Sequence, residues 1–327
     1  MKFVKMHGTG NDYVYINLFE GFEDSVPASF DKSEKLLALE GVPVEDVAVR
    51  ISDRHFGIGS DGLIAVAPSR VADVRMIMYN LDGSEGAMCG NGIRCVAKFA
   101  YDRGLIPEER RKVDPDTGVC DITAETASGI KYLKLTIEDG VCTYVSVDMG
   151  QAILVPKEIP VDVACFSEEI DDIIVGRKLK VGGREYPVTC VSMGNPHCVL
   201  FLDDLRGAEY DGFFDCGLDA MDLEAIGPLF EKHEAFPEQI NTEFVEVIDD
   251  HTVKMRVWER GSGETWSCGT GTCAVTVATV LNGYVKRGTE VEVQVRGGKL
   301  YDTWFEDGNV RMKGPAEDVF EGEIRLK

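Results

Sequence analysis

At 327 residues, with 44% hydrophobic and 28% charged side chains, the chain has ordinary globular composition and length enough for two domains with sizeable cores. A formal net charge of −23 argues against nucleic acid or an anionic membrane surface as partner, since both would repel it, and leaves a small-molecule ligand open. Met1-Lys2-Phe3-Val4-Lys5 is not a basic-then-apolar leader, and no stretch reaches the roughly 18 apolar residues of a membrane span. Ten cysteines spread over so long a chain fit reduced thiols better than a disulfide framework, so the expected compartment is the cytoplasm.

In chain order, residues 3–16 predict two short strands about a turn rich in glycine, Asn11 and Asp12. Residues 31–40 read as a short helix opened by Asp31 or Ser33, and 44–55 as a second. Leu63 to Ala67 and Val71 to Tyr79 are strands by composition. The segment 93–103 carries Ile93, Val96, Ala97 and Ala100 at helical spacing, with Gly104 as a stop. From 119 to 149 β-branched runs break at Gly129 and Asp139-Gly140, as antiparallel hairpins do, and a domain boundary is expected near 148–150. The acidic stretch 166–186 (Glu168, Glu169, Asp171, Asp172) reads as a solvated surface excursion. Residues 188–203 alternate like a strand, Met221 to His233 is helical, Phe244 to Glu259 is two strands about Asp249-Asp250, and 290–326 is a series of short strands. The sum is an α+β fold of mostly antiparallel sheet.

Two stretches carry the chemistry. Val74 to Arg94 runs strand, turn, Cys89, helix; Val253 to Cys273 does the same around Cys268, 179 residues later and without a gap. Glu85 falls on Glu264, Gly90 on Gly269 and Gly92 on Gly271, and Gly10-Asn11 finds a looser echo in Gly194-Asn195. Self-similarity at long range predicts duplicated, pseudo-symmetric domains. The helix after Cys268 has no charge before Lys286, so it should be central and wrapped by sheet. Two such domains facing each other would bring both cysteines to one cleft.

A thiol at a helix N-terminus meets free backbone N–H groups and the positive end of the helix dipole, which favour thiolate or a bound anion. Two such thiols suit inversion at an acidic C–H centre: one removes the proton from one face while the other delivers a proton to the opposite face. The pair would titrate as a coupled unit, and the N–H groups would hold a substrate carboxylate and stabilise its carbanion-like state. Taken singly, Cys95, Cys120, Cys142, Cys165, Cys190, Cys198, Cys216 and Cys273 are small buried apolar residues. His197 would be a structural histidine, Glu259 a strand-end carboxylate, and Asn11, Asn80, Asn195 and Asn241 turn residues. Zinc on Cys89, Cys95, Cys268 and Cys273 would need spacings unlike the usual knuckles, and no CxxC is present for thioredoxin-type redox work.

At these residues the chain closely resembles the diaminopimelate epimerases. The stretch Asn80 to Arg94 fits the family signature around its first catalytic cysteine, and Phe3 to Tyr13, Ser192 to Cys198, His233 to Asn241 and Glu259 to Cys273 match further blocks in order. The resemblance implies interconversion of LL- and meso-diaminopimelate without pyridoxal phosphate or metal, by a homodimer. It implies that Cys89 and Cys268 are the two acid/base residues, with Glu259 and His197 biasing their protonation. Gly90, Asn91, Gly269 and Thr270 would hold the reacting carboxylate; Asn11, Asn80, Asn195, Asn241, Glu259 and Arg260 would grip the rest of the substrate. The implied fold has two similar domains, 1–147 plus 316–327 and 148–315, each with strands curled about a central helix. Gly62 stands where some members carry a substrate-contacting glutamine, and Trp266 replaces an expected small residue and would narrow the cleft. Proline and hydroxyproline racemases share the two cysteine turns but tend to carry histidine at the position of Asn91.

Overall fold

The computed structural model describes residues 1–170, 172–205 and 217–326. The chain divides into two compact units, Met1–Val147 with Lys313–Lys327, and Asp148–Met312.

The first unit opens with β1 (Lys2–Gly8) and β2 (Asn11–Asn17), an antiparallel hairpin whose tight turn places Thr9 and Gly10 at positive φ. Three short strands follow, β3 (Ala28–Phe30), β4 (Leu36–Leu39) and β5 (Val42–Pro43), then α1 (Val44–Ser52). The helix expected over 31–40 is thus a strand in a small separate sheet. Asp31 does not cap a helix; its side chain accepts the N–H groups of Ser33 and Lys35 and closes a turn, leaving Leu36 and Leu39 to face the core. β6 (Gly62–Ala67) pairs parallel with β2 and antiparallel with β7 (Val74–Asn80), which turns back as β8 (Glu85–Gly86) into α2 (Gly90–Asp102). β9 (Val119–Thr126), β10 (Gly129–Glu138) and β11 (Val141–Gln151) form the antiparallel run read from the sequence.

In the second unit β12 (Arg177–Val181) and β13 (Arg184–Ser192) make a hairpin, followed by β14 (Pro196–Phe201) and α3 (Leu223–Glu231). β15 (Asn241–Val247) pairs parallel with β14 and antiparallel with β16 (Thr252–Glu259), which turns through β17 (Gly263–Thr265) into α4 (Gly269–Leu281). β18 (Glu290–Val295) and β19 (Gly298–Trp304) follow, the second unit ends within β20 (Asn309–Pro315), and β21 (Glu317–Glu323) belongs to the first unit, antiparallel to β1.

The duplication is therefore topological: parallel pair, antiparallel return, short strand, helix, in each unit. Registers agree as well, with Val14 opposite Leu63 in one and Cys198 opposite Thr242 in the other. β6 and β14 are buried at every position, because the parallel pair has a helix on one face and further core on the other. Residues 188–203 accordingly do not alternate in and out; Cys198 and Leu200 join an apolar cluster with α3, while His197 sits on the opposite face. α2 is buried from Gly90 to Tyr101 against β1, β2, β6, β7, β9 and β10, and α4 is buried over most of its length.

The stretch 166–186 departs from its reading as a solvated excursion. Phe166, Ile174, Leu179, Val181 and Tyr186 are core residues of the second unit, while Glu168, Glu169 and Asp172 are exposed. Asp171 of its acidic cluster lies outside the described residues, as does Cys216. Of the other cysteines read as buried filler, all are buried except the half-buried Cys165, and the nine described cysteines are free thiols.

Gly227 inside α3 is explained by Trp258. A Cβ there would lie 2.3 Å from the indole ring, and the ring is tied by Nε1–H donating to Glu231 Oε2 at 2.7 Å. Gly227→Ala gains about 1 kcal/mol of helix propensity but overpacks a ring that cannot retreat without losing a buried hydrogen bond, so a net loss of about 1–3 kcal/mol is expected. All three tryptophans lie in the second unit, so a lower urea midpoint in tryptophan fluorescence would report it; an unchanged midpoint would refute the packing argument.

Candidate active site

Each unit presents one cysteine as the N-cap of its buried helix. Cys89 is extended (φ −129°, ψ 122°) and its sulfur accepts the Gly92 N–H at 3.3 Å; Cys268 is extended too (φ −119°, ψ 109°) and accepts the Gly271 N–H at 3.4 Å. Sulfur thus takes the place usually filled by a Ser, Thr, Asp or Asn oxygen.

Around Cys89 the partners are amide, hydroxyl and cation. The thiol donates to Asn11 Oδ1 at 3.2 Å. Asn11 Nδ2 donates to Asp61 Oδ2 at 2.7 Å; a carboxylate only accepts, so the amide is oriented with its oxygen toward the sulfur. Arg54 ties Asp61 to Asp12 at 3.0 and 2.8 Å, and Lys5 pairs with Asp12 from below. The Tyr13 hydroxyl also hydrogen-bonds Cys89, and Arg94, fully buried, spans Gly90 O, Thr9 Oγ1 and Pro315 O. Asn91 is buried, its Oδ1 accepting from Thr9 at 3.4 Å. Asn80, at the end of β7, donates to Ser84 Oγ at 3.0 Å, and no hydrogen bond joins it to Cys89 among the described residues. Gly62 admits no side chain, since a Cβ would lie 2.1 Å from the Tyr79 carbonyl oxygen.

Around Cys268 the partners are ionisable. Thr270 Oγ1 lies 3.4 Å from the sulfur, and Glu259 hydrogen-bonds it. Glu259 also accepts a short hydrogen bond from Thr265. His197 is fully buried; its Nδ1 donates to Glu243 Oε1 at 2.7 Å and its Nε2 lies 3.1 Å from Asn195 Oδ1. Asn241 donates to Pro196 O at 3.1 Å and accepts the Arg260 N–H at 2.9 Å, while the Arg260 guanidinium donates to Glu238 O at 2.9 Å. Trp266 is exposed, with the Arg296 guanidinium 5.6 Å from its ring centre.

The helix ends were expected to lower both thiol pKa values. The opposite holds. Burial pushes Cys89 up, against the Gly92 and Asn91 N–H groups, Arg94 and Tyr13, which pull it down. Cys268 is driven well above the ordinary thiol range, first by burial and then by the charges of Glu259 and Glu243, with Thr270 and Gly271 opposing. Burial also raises Glu259, helped by Glu243 and opposed by Thr265 and His197.

Corresponding positions in the two units carry different chemistry. Asn11 and Tyr13 on β2 answer to Asn195 and His197 at β14; Ile64 and Asn80 answer to Glu243 and Glu259; Asn91 answers to Thr270. Tyr13, Arg94 and Glu243 were absent from the site as read from sequence. The internal repeat held the signal: Glu243 stands 179 residues after Ile64, the spacing of the cysteines, and Tyr13 follows Asn11 by the same two positions that separate His197 from Asn195.

Comparison with known proteins begins with the fold, which is that of amino-acid racemases and epimerases. A probable proline racemase from Agrobacterium radiobacter superposes with a TM-score of 0.60 at 15% identity, covering 100% of this chain and 93% of its own. A hydroxyproline epimerase from Agrobacterium vitis gives 0.60 at 16%, covering 100% and 92%. The diaminopimelate epimerase family model matches residues 3–155 and 189–319. A diaminopimelate epimerase of Agathobacter rectalis is 49% identical over 328 residues, and one of Acetivibrio thermocellus 46% over 327, spanning 100% of this chain and 100% and 99% of theirs. The chain belongs to the diaminopimelate epimerase family.

The buried thiols have a consequence for stability. Cys95 and Cys142 are each pushed up to about 12 by burial, so the folded chain holds protons that unfolded thiols release near pH 8.5. That contribution is complete below the unfolded pKa and is lost as pH rises toward the folded values. The melting temperature by circular dichroism should therefore fall steadily between pH ~8.5 and ~10.5; a flat profile would contradict it.

Proposed function

We propose that the protein is a diaminopimelate epimerase that interconverts the LL and meso isomers with two cysteines as its acid/base pair. The observation that carries this reading is the repeated cysteine cap: each half of a duplicated fold, in a member of this family, starts its buried helix on a thiol ringed by polar groups. In the reaction one sulfur, as thiolate, takes the α-proton while the other, as thiol, gives its proton to the opposite face of the same carbon. The C–H electron pair passes into the carboxylate and returns to the new bond. After turnover the protonation states are exchanged. The reading requires both thiols to reach one α-carbon, and it assigns Cys89 and Cys268 those roles.

The first N–H groups of each helix, at Gly90-Asn91 and Gly269-Thr270, are suited to the reacting carboxylate, which gains charge as the carbon loses its proton. Asn11, Asn80, Asn195, Asn241, Glu259 and Arg260 supply amides, a carboxylate and a guanidinium for the second amino-acid end, and Glu259 with His197 biases the protonation of the cysteines. The thiolate of so high a pKa is a strong base, which suits a weakly acidic C–H. No cofactor or metal enters these steps. The reading extends to a cytoplasmic homodimer; nine free thiols fit a reducing compartment, and no helix among the described residues is long and apolar enough to cross a membrane.

In D2O, diaminopimelate should acquire α-deuterium and proline should not. Exchange of proline alone would replace the substrate assignment with that of a proline racemase. Cys89→Ser and Cys268→Ser should each lower kcat by about 10²–10⁴-fold, and near-native turnover by either variant would refute the two-thiol mechanism.

A further inference from the structure

Each unit presses one side chain against the third residue of its buried helix. In the first unit it is Ile64, whose Cδ1 would lie 2.7 Å from a Cβ added at Gly92. In the second it is Glu243, whose Oε1 would lie 2.8 Å from a Cβ at Gly271. Both side chains are wholly buried, on strands of the same register. The fold therefore accepts an aliphatic side chain here, and packing alone does not call for a carboxylate.

A buried carboxylate is costly unless it is paired. Glu243 Oε1 takes the Nδ1–H of His197 at 2.7 Å with both side chains at 0% exposure, and Oε2 has no hydrogen-bond partner among the described residues. The first turn of α4 contributes the positive end of its dipole. The exchange between units is coupled: Tyr13 and Ile64 in one, His197 and Glu243 in the other. A phenol has one polar atom and needs no second group to choose its donor, whereas an imidazole has two nitrogens, and a carboxylate on Nδ1 places the proton there, leaving Nε2 to accept from the Asn195 side-chain amide 3.1 Å away once that amide presents its nitrogen.

We propose that Glu243 is a positioning residue of the Cys268 half-site, fixing His197 with Nδ1 protonated and setting a carboxylate beside the cap sulfur so that Cys268 retains its proton until the carbanion-like substrate takes it. The proposal rests on the two-thiol reading and adds to it the group that keeps one thiol protonated. The titratable groups on the face of this pair are Glu259 from β16 and Cys268 itself, while Cys198 from β14 and Cys190 from β13 lie on the opposite face of the sheet, in the cluster under α3. Removing the Glu243 charge eases ionisation of Cys268, so the alkaline limb of activity, where the thiol form is lost, moves to lower pH.

The experiment compares the full-length protein with Glu243→Gln and Glu243→Ile, the latter being the side chain that the first unit tolerates at this position. Glu243→Ile should lower kcat about 10- to 100-fold, and Glu243→Gln should retain more activity while its kcat/KM profile loses its alkaline limb at lower pH than wild type. Iodoacetamide labelling across pH, mapped by peptide mass, should show Cys268 reacting at lower pH in Glu243→Gln while Cys89 is unchanged. A merely structural glutamate would lower activity at every pH and move neither profile. Unshifted pH and labelling profiles in Glu243→Gln overturn the proposal, and this variant decides if Glu243→Ile does not fold. Absence of α-deuterium exchange in wild type would count against the epimerase reading, and the Cys268 labelling profile would still decide the role of Glu243.

Discussion

Each half of the molecule depends on a backbone N–H reaching a cysteine sulfur. A buried helix leaves its first N–H groups without helical partners, and in a dry interior each needs an acceptor. Cys89 and Cys268 supply one at Gly92 and Gly271, and both third residues are glycine because a neighbouring strand side chain sits where a Cβ would go. The cap thereby fixes where each sulfur stands, and the strand contact fixes what stands behind it. A thiol held in this way cannot turn from its helix axis without exposing an amide.

Built on one plan, the two halves have diverged electrostatically. Cys89 is faced by an amide oxygen, a phenol and the buried Arg94; Cys268 is faced by two carboxylates, one of which holds the His197 imidazole. Burial raises both thiols, but the polar surroundings pull Cys89 back and push Cys268 further. Duplication alone would yield two equivalent thiols; the substitutions at the positions of Ile64 and Tyr13 make them unequal.

The cysteine caps, the central helices and most strands were legible in the sequence because each is a local pattern: turn residues, a 3.6-residue period, β-branched runs. The segment 31–40 was misread because leucine spacing in so short a stretch suits helix or strand alike, and the Asp31 turn decided it. The stretch 166–186 misled through acidic residues such as Glu168, Glu169 and Asp172, which are exposed, while Phe166, Ile174 and the inner positions of the hairpin that follows are core. The thiol pKa values could not be read from local sequence, since burial is a tertiary quantity that here outweighs the helix dipole. Glu243 was hidden for a related reason: a lone carboxylate in a strand pattern reads as solvent-facing, and only the parallel pair with a helix over it makes that face interior.

The pairing of β21 with β1 gives the chain an order of assembly. The second unit is one continuous run, Asp148–Met312, whereas the first needs residues from both sides of that run. β1 has β2 beside it early, but its other edge stays unpaired until Glu317–Glu323 has been made, with the whole second unit in between. As the chain leaves the ribosome, the unit begun first is thus the one completed last, with an open strand edge held in waiting throughout synthesis.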